Sequence, residues 1–265
     1  MRTIKNCAFS AIALGVIFIL SSCASVPKPP PLPAQEVMPP VDIAEIMPRQ
    51  DICHVVAPGE TLWRIAKMYD VKIDDITGQN NISESIELKM GQKLLIPQAA
   101  PLKPVVPLYK SHKWKHIIIH HSATDEGNAL SFFRLHVKRG FWRGLGYHFV
   151  IDNGTYGKED GQIEVSPRWI NQEDGAHTKA GNMNHMGIGV CLVGNFSTGK
   201  VTDKQMESLV YLVNILRKYY NIPVENIMGH GKVRGAKTEC PGKFFPWREF
   251  LGKLKDACWW QEDTN

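Results

Sequence analysis

The sequence predicts an α/β protein in which a central mixed β-sheet is flanked by helices and preceded by a small βααβ domain. Three observations carry this prediction. Apolar, β-branched runs such as "KHIIIHH" and "MGIGVCLVG" are bounded by turn residues and read as buried strands. They alternate with helical stretches, of which "TDKQMESLVYLVNILRKYY" (202–220) is the clearest. Thr202 is its cap, and Met206, Leu209, Val210, Val213 and Leu216 fall on one face. Upstream, residues 54–97 hold their own strand–helix–helix–strand pattern between two proline-rich stretches.

The chain opens with Arg2 and Lys5, then an apolar run from Ala8 to Leu20. The run is short for a membrane span of about 20 residues and has the charged-then-apolar order of a secretory signal. It ends in Leu20-Ser21-Ser22-Cys23, which resembles the lipobox of bacterial lipoproteins. That resemblance implies a signal peptide over 1–22 and acyl chains on Cys23, which form a stable membrane anchor when several are present. Ala24, where an aspartate would direct retention, implies by the same resemblance an outer-membrane anchor facing the periplasm. Residues 23–50 are rich in proline and lack apolar periodicity. They read as a tether, which at about 3.1 Å per residue reaches on the order of 80 Å.

Residues 51–98 form the small domain. His54–Ala57 is a strand ended by Pro58-Gly59, and Thr61 starts a helix whose Leu62, Ile65 and Ala66 make an apolar stripe. A second helix begins within Val71–Ile76, and "QKLLIP" closes the unit as a strand. Leu62 and Trp63 are expected to fill its core. The pattern "VxxGETLWRIA…NN…GQKLLIP" resembles a LysM module. The resemblance implies binding of N-acetylglucosamine-containing glycans, chiefly peptidoglycan, along the loop Gly59-Glu60-Thr61 and near Asn80 and Ile82. A second proline-spaced stretch, 99–113, reads as a linker.

Residues 114–256 carry the chemistry. His120 or His121, His230 and Cys240 are all of types that ligate zinc, and three protein ligands leave a fourth position open, as catalytic sites require. Neighbours on a strand face opposite ways, so only one of His120 and His121 can reach a given site. Of six cysteines, Cys7 leaves with the signal and Cys23 is the anchor. Export permits disulfides, and the expected pair is Cys53 with Cys258, one at each domain edge. The net charge of +5 is mild and scattered, which argues against a nucleic-acid partner.

"IIIHHSAT", "GYHFVIDNG", "GAHTKAGNMNHMGIGVCLVGNF" and "GHGKVRGAKTECPG" occur in the order found in the type-2 N-acetylmuramoyl-L-alanine amidases. That family includes phage amidases and animal peptidoglycan recognition proteins, and the resemblance covers residues 114–247. It implies a zinc (Zn2+) cofactor held by His120, His230 and Cys240, and hydrolysis of the amide between N-acetylmuramic acid and L-alanine in peptidoglycan. One branch places a glutamate where this chain has Cys191. The branch without it uses a tyrosine, which maps to Tyr147. Phage enzymes carry lysine where Thr238 stands here, so Thr238, or its neighbour Lys237, is expected to assist the oxyanion. His177 and Asn184 match groove residues and are expected substrate contacts. His148 is expected to face away from the site, and His112, His116 and His136 match no motif role. The expected partners are peptidoglycan and, through the lipid, a membrane, with the protein a monomer. Two other readings stay open: a non-catalytic peptidoglycan-binding lipoprotein, and a hydrolase of soluble muropeptides.

Overall fold

The computed structural model describes residues 48–256. The segment expected to be a signal peptide, Cys23, most of the expected tether and Cys258 lie outside them. No helix among the described residues is long and apolar enough to cross a membrane.

The N-terminal unit pairs β1 (Gln50–Val55) antiparallel with β2 (Lys93–Ala99) and places α1 (Leu62–Tyr69) and α2 (Ile73–Asn80) between them in sequence. β1 begins ahead of His54, where the sequence pattern starts it, because Gln50 pairs opposite Ala99 and the neighbouring Arg49 reaches Asp70 at 2.7 Å. Thr61 caps α1, its hydroxyl accepting from the Arg64 N–H at 3.3 Å. Leu62, Ile65, Ala66, Met68 and Tyr69 close a small core with Val56, Ile76, Leu94 and Ile96. Leu62 is buried as expected. Trp63 is not: it is 56% exposed. One residue further on, its side chain is turned about 100° round the helix from Leu62 and leaves the buried stripe.

The larger unit is a mixed sheet in the order β5 (Asp160–Val165), β4 (Phe149–Asn153), β6 (Gly187–Leu192), β3 (His116–His121), β7 (Ile227–Gly229), as the strand–helix alternation predicts. β3 lies between β6 and β7 and runs parallel to both. β4 is parallel to β6, and β5 pairs antiparallel with β4 at the edge. Strand alternation divides the side chains between two faces. Ile117, Ile119, Phe149, Ile151, Val190 and Leu192 form the main core with Leu209, Leu212, Val213 and Leu216 of α6 (Asp203–Tyr220) and with Phe250 of α7 (Trp247–Asp256). Ile118 and Val150 point to the opposite face, where α3 (Ala129–Lys138) covers Val150 through Phe132. Thr202 caps α6 in a reciprocal box with Gln205. Val210 is only partly buried; Gln205 is buried instead, its amide donating to the Val193 carbonyl at 2.8 Å.

The two units touch through a buried polar layer. Arg64 of α1 donates to the carbonyls of Val105 and Ile163, each at 3.2 Å. Lys158 donates to the Val55 carbonyl at 3.1 Å and pairs with Glu164 at 3.0 Å. The stretch 99–113 is strapped down rather than free: the Trp169 indole donates to the Pro107 carbonyl at 2.7 Å, and Val106 and Leu108 pack on the main core. The loop expected to meet glycan is partly committed to this contact. Glu60 is buried, and a Cβ added at Gly59 would lie 3.2 Å from Ile170 in α4 (Pro167–Ile170).

Candidate metal centre

Three segments far apart in sequence converge at the C-terminal end of β3. His120 is an even-numbered residue of β3, so it shares the face of Ile118. His121 takes the other face, where its Nδ1 accepts from the Phe196 N–H at 3.1 Å. β7 stops at Gly229 and hands the chain to His230. The following loop returns Cys240 to the same place and is closed by the Gly231 N–H donating to the Cys240 carbonyl at 2.7 Å. That closure needs a glycine, because a Cβ at 231 would stand 2.5 Å from the Thr238 carbonyl oxygen. The donor atoms of His120, His230 and Cys240 all lie within 4.8 Å of one another. The Cys240 sulfur is 3.6 Å from His120 Nδ1 and accepts from the His121 N–H at 3.4 Å.

Electrostatics suit this set to a cation. Burial, with the neighbouring imidazoles of His177 and His230, pushes His120 well below the ordinary histidine range. Burial also lowers His230, so both rings are neutral and keep a lone pair to give. Burial raises the Cys240 thiol to about 11, against the opposing hydrogen bond from His121. A bound cation reverses that last preference, since a coordinating thiol is deprotonated. Two neutral imidazoles and one thiolate, with a fourth position open, fit zinc.

Tyr147 stands just before β4, half-buried, with its ring 5.2 Å from that of His120. Burial, and then the Cys191 and Cys240 thiols, raise its phenol well above the usual range, so it stays protonated and acts as a hydrogen-bond donor. Cys191 is fully buried, opposite His120 in the sheet register. Thr238 is exposed two residues before Cys240, and its hydroxyl oxygen accepts from the Cys240 N–H at 3.2 Å. Its own proton remains available to donate. Lys237 is exposed beside it. His148 is not one of the converging donors; it is fully buried, with its ring 5.6 Å from that of His177. Its Nδ1 accepts from the Gly189 N–H at 2.9 Å, and its ring lies against Trp114.

The two residues expected to contact substrate are placed differently. His177 is buried behind His120, with its Nδ1 3.1 Å from His120 Nε2 and its Nε2 3.1 Å from the Gly187 carbonyl oxygen. The Oδ1 of Asn184 is taken by the backbone N–H groups of His177 and Thr178 at 2.8 and 2.7 Å. Asn184, in the single turn of α5 (Met183–Met186), thus pins the loop that carries His177. Thr178, which the sequence pattern did not single out, is buried beside both rings. The glycines at 175 and 189 are the sequence signal for this layer: a Cβ there would stand 2.3 or 2.5 Å from the His177 ring.

Two family models agree with this architecture. The family described as N-acetylmuramoyl-L-alanine amidase matches residues 110–243, just over half of the chain, and the LysM domain family matches residues 54–97. No curated protein matches the sequence. Among solved structures, the chain is similar to the N-acetylmuramoyl-L-alanine amidase LysC from Clostridium intestinale. The two are 32% identical over 58% of this chain and 97% of that one, with a TM-score of 0.47. It is similar also to bumblebee PGRP-SA (21% identity, 55% and 83% covered, TM-score 0.41). A third is the Ph2119 endolysin from a Thermus scotoductus bacteriophage (20% identity, 55% and 87% covered, TM-score 0.41). The chain belongs to the N-acetylmuramoyl-L-alanine amidase family and carries a LysM domain ahead of its amidase domain.

Proposed function

We propose that the protein is a zinc-dependent amidase that hydrolyses the bond between N-acetylmuramic acid and L-alanine in peptidoglycan. The observation that carries this reading is the convergence of His120, His230 and Cys240, with their donor atoms within 4.8 Å of one another. When bound, zinc supplies Lewis acidity to the scissile carbonyl and lowers the pKa of water toward about 7. The chain's own groups do the rest. The Tyr147 phenol, kept protonated by burial, donates a hydrogen bond to the oxyanion that forms as the carbonyl carbon becomes tetrahedral. Thr238 offers a second, neutral donor from the rim of the site. Water adds its oxygen to the carbonyl carbon, the carbon–nitrogen bond breaks, one proton of the water goes to the leaving amine of L-alanine, and the other is released as the lactyl acid becomes a carboxylate.

The LysM domain adds local concentration on a polymeric substrate rather than chemistry. Acyl chains on Cys23, with the proline-rich tether, would hold the enzyme at the outer membrane facing the periplasm, as a monomer. Intact wall, rather than soluble fragments, is the substrate this arrangement serves.

Incubating the purified protein with sacculi, with and without a chelator, tests the reading. Stem peptides with a free L-alanine amine are expected without the chelator and none with it. Cys240→Ser is expected to lose both bound zinc and release. Normal release by that variant would remove Cys240 from the site. Sacculus binding without release, by a protein containing no zinc, would instead mark a non-catalytic wall-binding protein.

A further inference from the structure

Behind the metal donors lies a layer that fixes which nitrogen of His120 faces them. The Gly187 carbonyl oxygen, at the start of β6, lies 3.1 Å from His177 Nε2. A carbonyl oxygen only accepts, so His177 carries its proton on Nε2 and leaves Nδ1 an acceptor, with the Thr178 hydroxyl oxygen 3.2 Å away. The Nδ1 lone pair faces His120 Nε2 at 3.1 Å. The other polar neighbour of His120 Nε2 is the Thr178 hydroxyl oxygen at 3.4 Å, which can also accept. Were His120 protonated on Nδ1, two lone pairs would oppose each other across the 3.1 Å contact. With the proton on Nε2, the Nδ1 lone pair faces the Cys240 sulfur at 3.6 Å, on the side where the donors converge. The slot for the His177 ring is built for it from two sides: a Cβ at Gly175 or Gly189 would stand 2.3 or 2.5 Å from its Cδ2. Asn184 holds the backbone of the same loop.

We propose that His177 is a positioning residue, which passes the polarity of the Gly187 carbonyl to His120 and locks His120 in the Nε2-protonated form, with Nδ1 free for the metal. The inference rests on the metal reading above and reassigns His177 from the substrate groove to the support of a ligand. Such outer partners orient metal-binding histidines and raise their basicity, and losing one typically weakens metal binding about 10- to 100-fold.

Two arms test it. Long-range proton–nitrogen NMR of the metal-free native protein reports the tautomers directly. Both His120 and His177 are expected to carry their proton on Nε2, and His120 protonated on Nδ1 overturns the proposal. The second arm measures zinc affinity by competition with a chelator. His177→Phe keeps a ring in the slot but removes the acceptor, and is expected to bind zinc at least about tenfold more weakly. His177→Asn, whose Oδ1 stands close to the place of Nδ1, is expected to recover part of that loss. Zinc held by a folded His177→Phe as tightly as by the native protein would overturn the relay. If the phenylalanine variant fails to fold, the tautomers of the native protein and the asparagine variant still decide. A native protein that takes up no zinc would defeat the proposed function, while the tautomer of His120 would still confirm or refute the relay.

Discussion

A single methyl group separates a working His177 slot from a blocked one. At Gly189 a Cβ would meet the imidazole at 2.5 Å, and the ring is held on three sides, so it has nowhere to retreat. Gly189→Ala is expected to destabilise the fold by about 1–3 kcal/mol, the usual range for overpacking, and to weaken zinc binding with it. Gly252 is the contrasting case. It lies within α7, and a Cβ there meets nothing within 4 Å. Gly252→Ala is expected to stabilise by up to about 1 kcal/mol through helix propensity. Urea unfolding of the two variants checks both signs, and a shared sign would discredit the packing argument. At the same scale, the raised phenol of Tyr147 makes its hydroxyl a donor over the working pH range. Tyr147→Phe is expected to lower the rate of stem-peptide release roughly 100-fold, the scale of losing one oxyanion donor, while leaving zinc content unchanged.

Among the elements, α6 shows how much of a helix is written locally. Its apolar stripe and its reciprocal cap, Thr202 with Gln205, are both contiguous in sequence. The cap satisfies otherwise unpaired N–H groups at the first turn, so Thr202→Ala is expected to lower stability by about 1 kcal/mol. A matching fall in the urea midpoint without a change in slope is the expected record. Thr202 has a second partner, Asp160 at 2.7 Å on β5, which ties the helix start to the edge of the sheet. β3 presents the opposite balance. Its alternation alone sends His120 and His121 to different faces, but the useful face is set by α6, which buries Ile117 and Ile119 on the other side.

For the whole molecule, the contact between the LysM and amidase domains rests on buried charge. Lys158 and Glu164 are both nearly inaccessible and 3.0 Å apart. Removing one partner strands the other in a poorly solvated layer, so Lys158→Ala is expected to cost about 3–5 kcal/mol. The double variant Lys158→Met, Glu164→Gln keeps the acceptor that Glu164 offers to the Ala129 N–H and is expected to recover most of the loss. A loss under about 1 kcal/mol for the single variant would mean that water reaches the pair. Glu60 gives the interface a pH dependence. Burial pushes its carboxyl up, but the hydrogen bond and charge of His54, with the charges of Lys158 and Arg64, outweigh burial and hold it at about 2, below its ordinary 4.5. The folded state therefore binds fewer protons between those values. Its contribution to stability is complete above pH 4.5 and is lost as the pH falls toward 2. Unfolding free energies measured across that window are expected to fall with acid, and less steeply in Glu60→Gln.

The sequence by itself determined the alternating elements and the stripe and cap of α6, and its motifs, through the family they resemble, named the three donors that converge. Each of these depends on residues close in the chain, or on motifs whose internal spacing is preserved. Only the tertiary structure decided what lies behind and beside them. Trp63 faces solvent on the exposed strip of α1 that it shares with Lys67, the other six residues being buried, and no local pattern marks a tryptophan for that strip. The Gly59-Glu60 loop is drawn against the amidase domain by residues about a hundred positions away, including Lys158 and Pro167. His177 reads from its motif as a substrate contact until β6 places the Gly187 carbonyl on one side of its ring and β3 places His120 on the other. Periodicity states which way a side chain leaves its own backbone. Which partner it meets depends on how distant segments pack, and the buried hydrogen bonds of this site are made there.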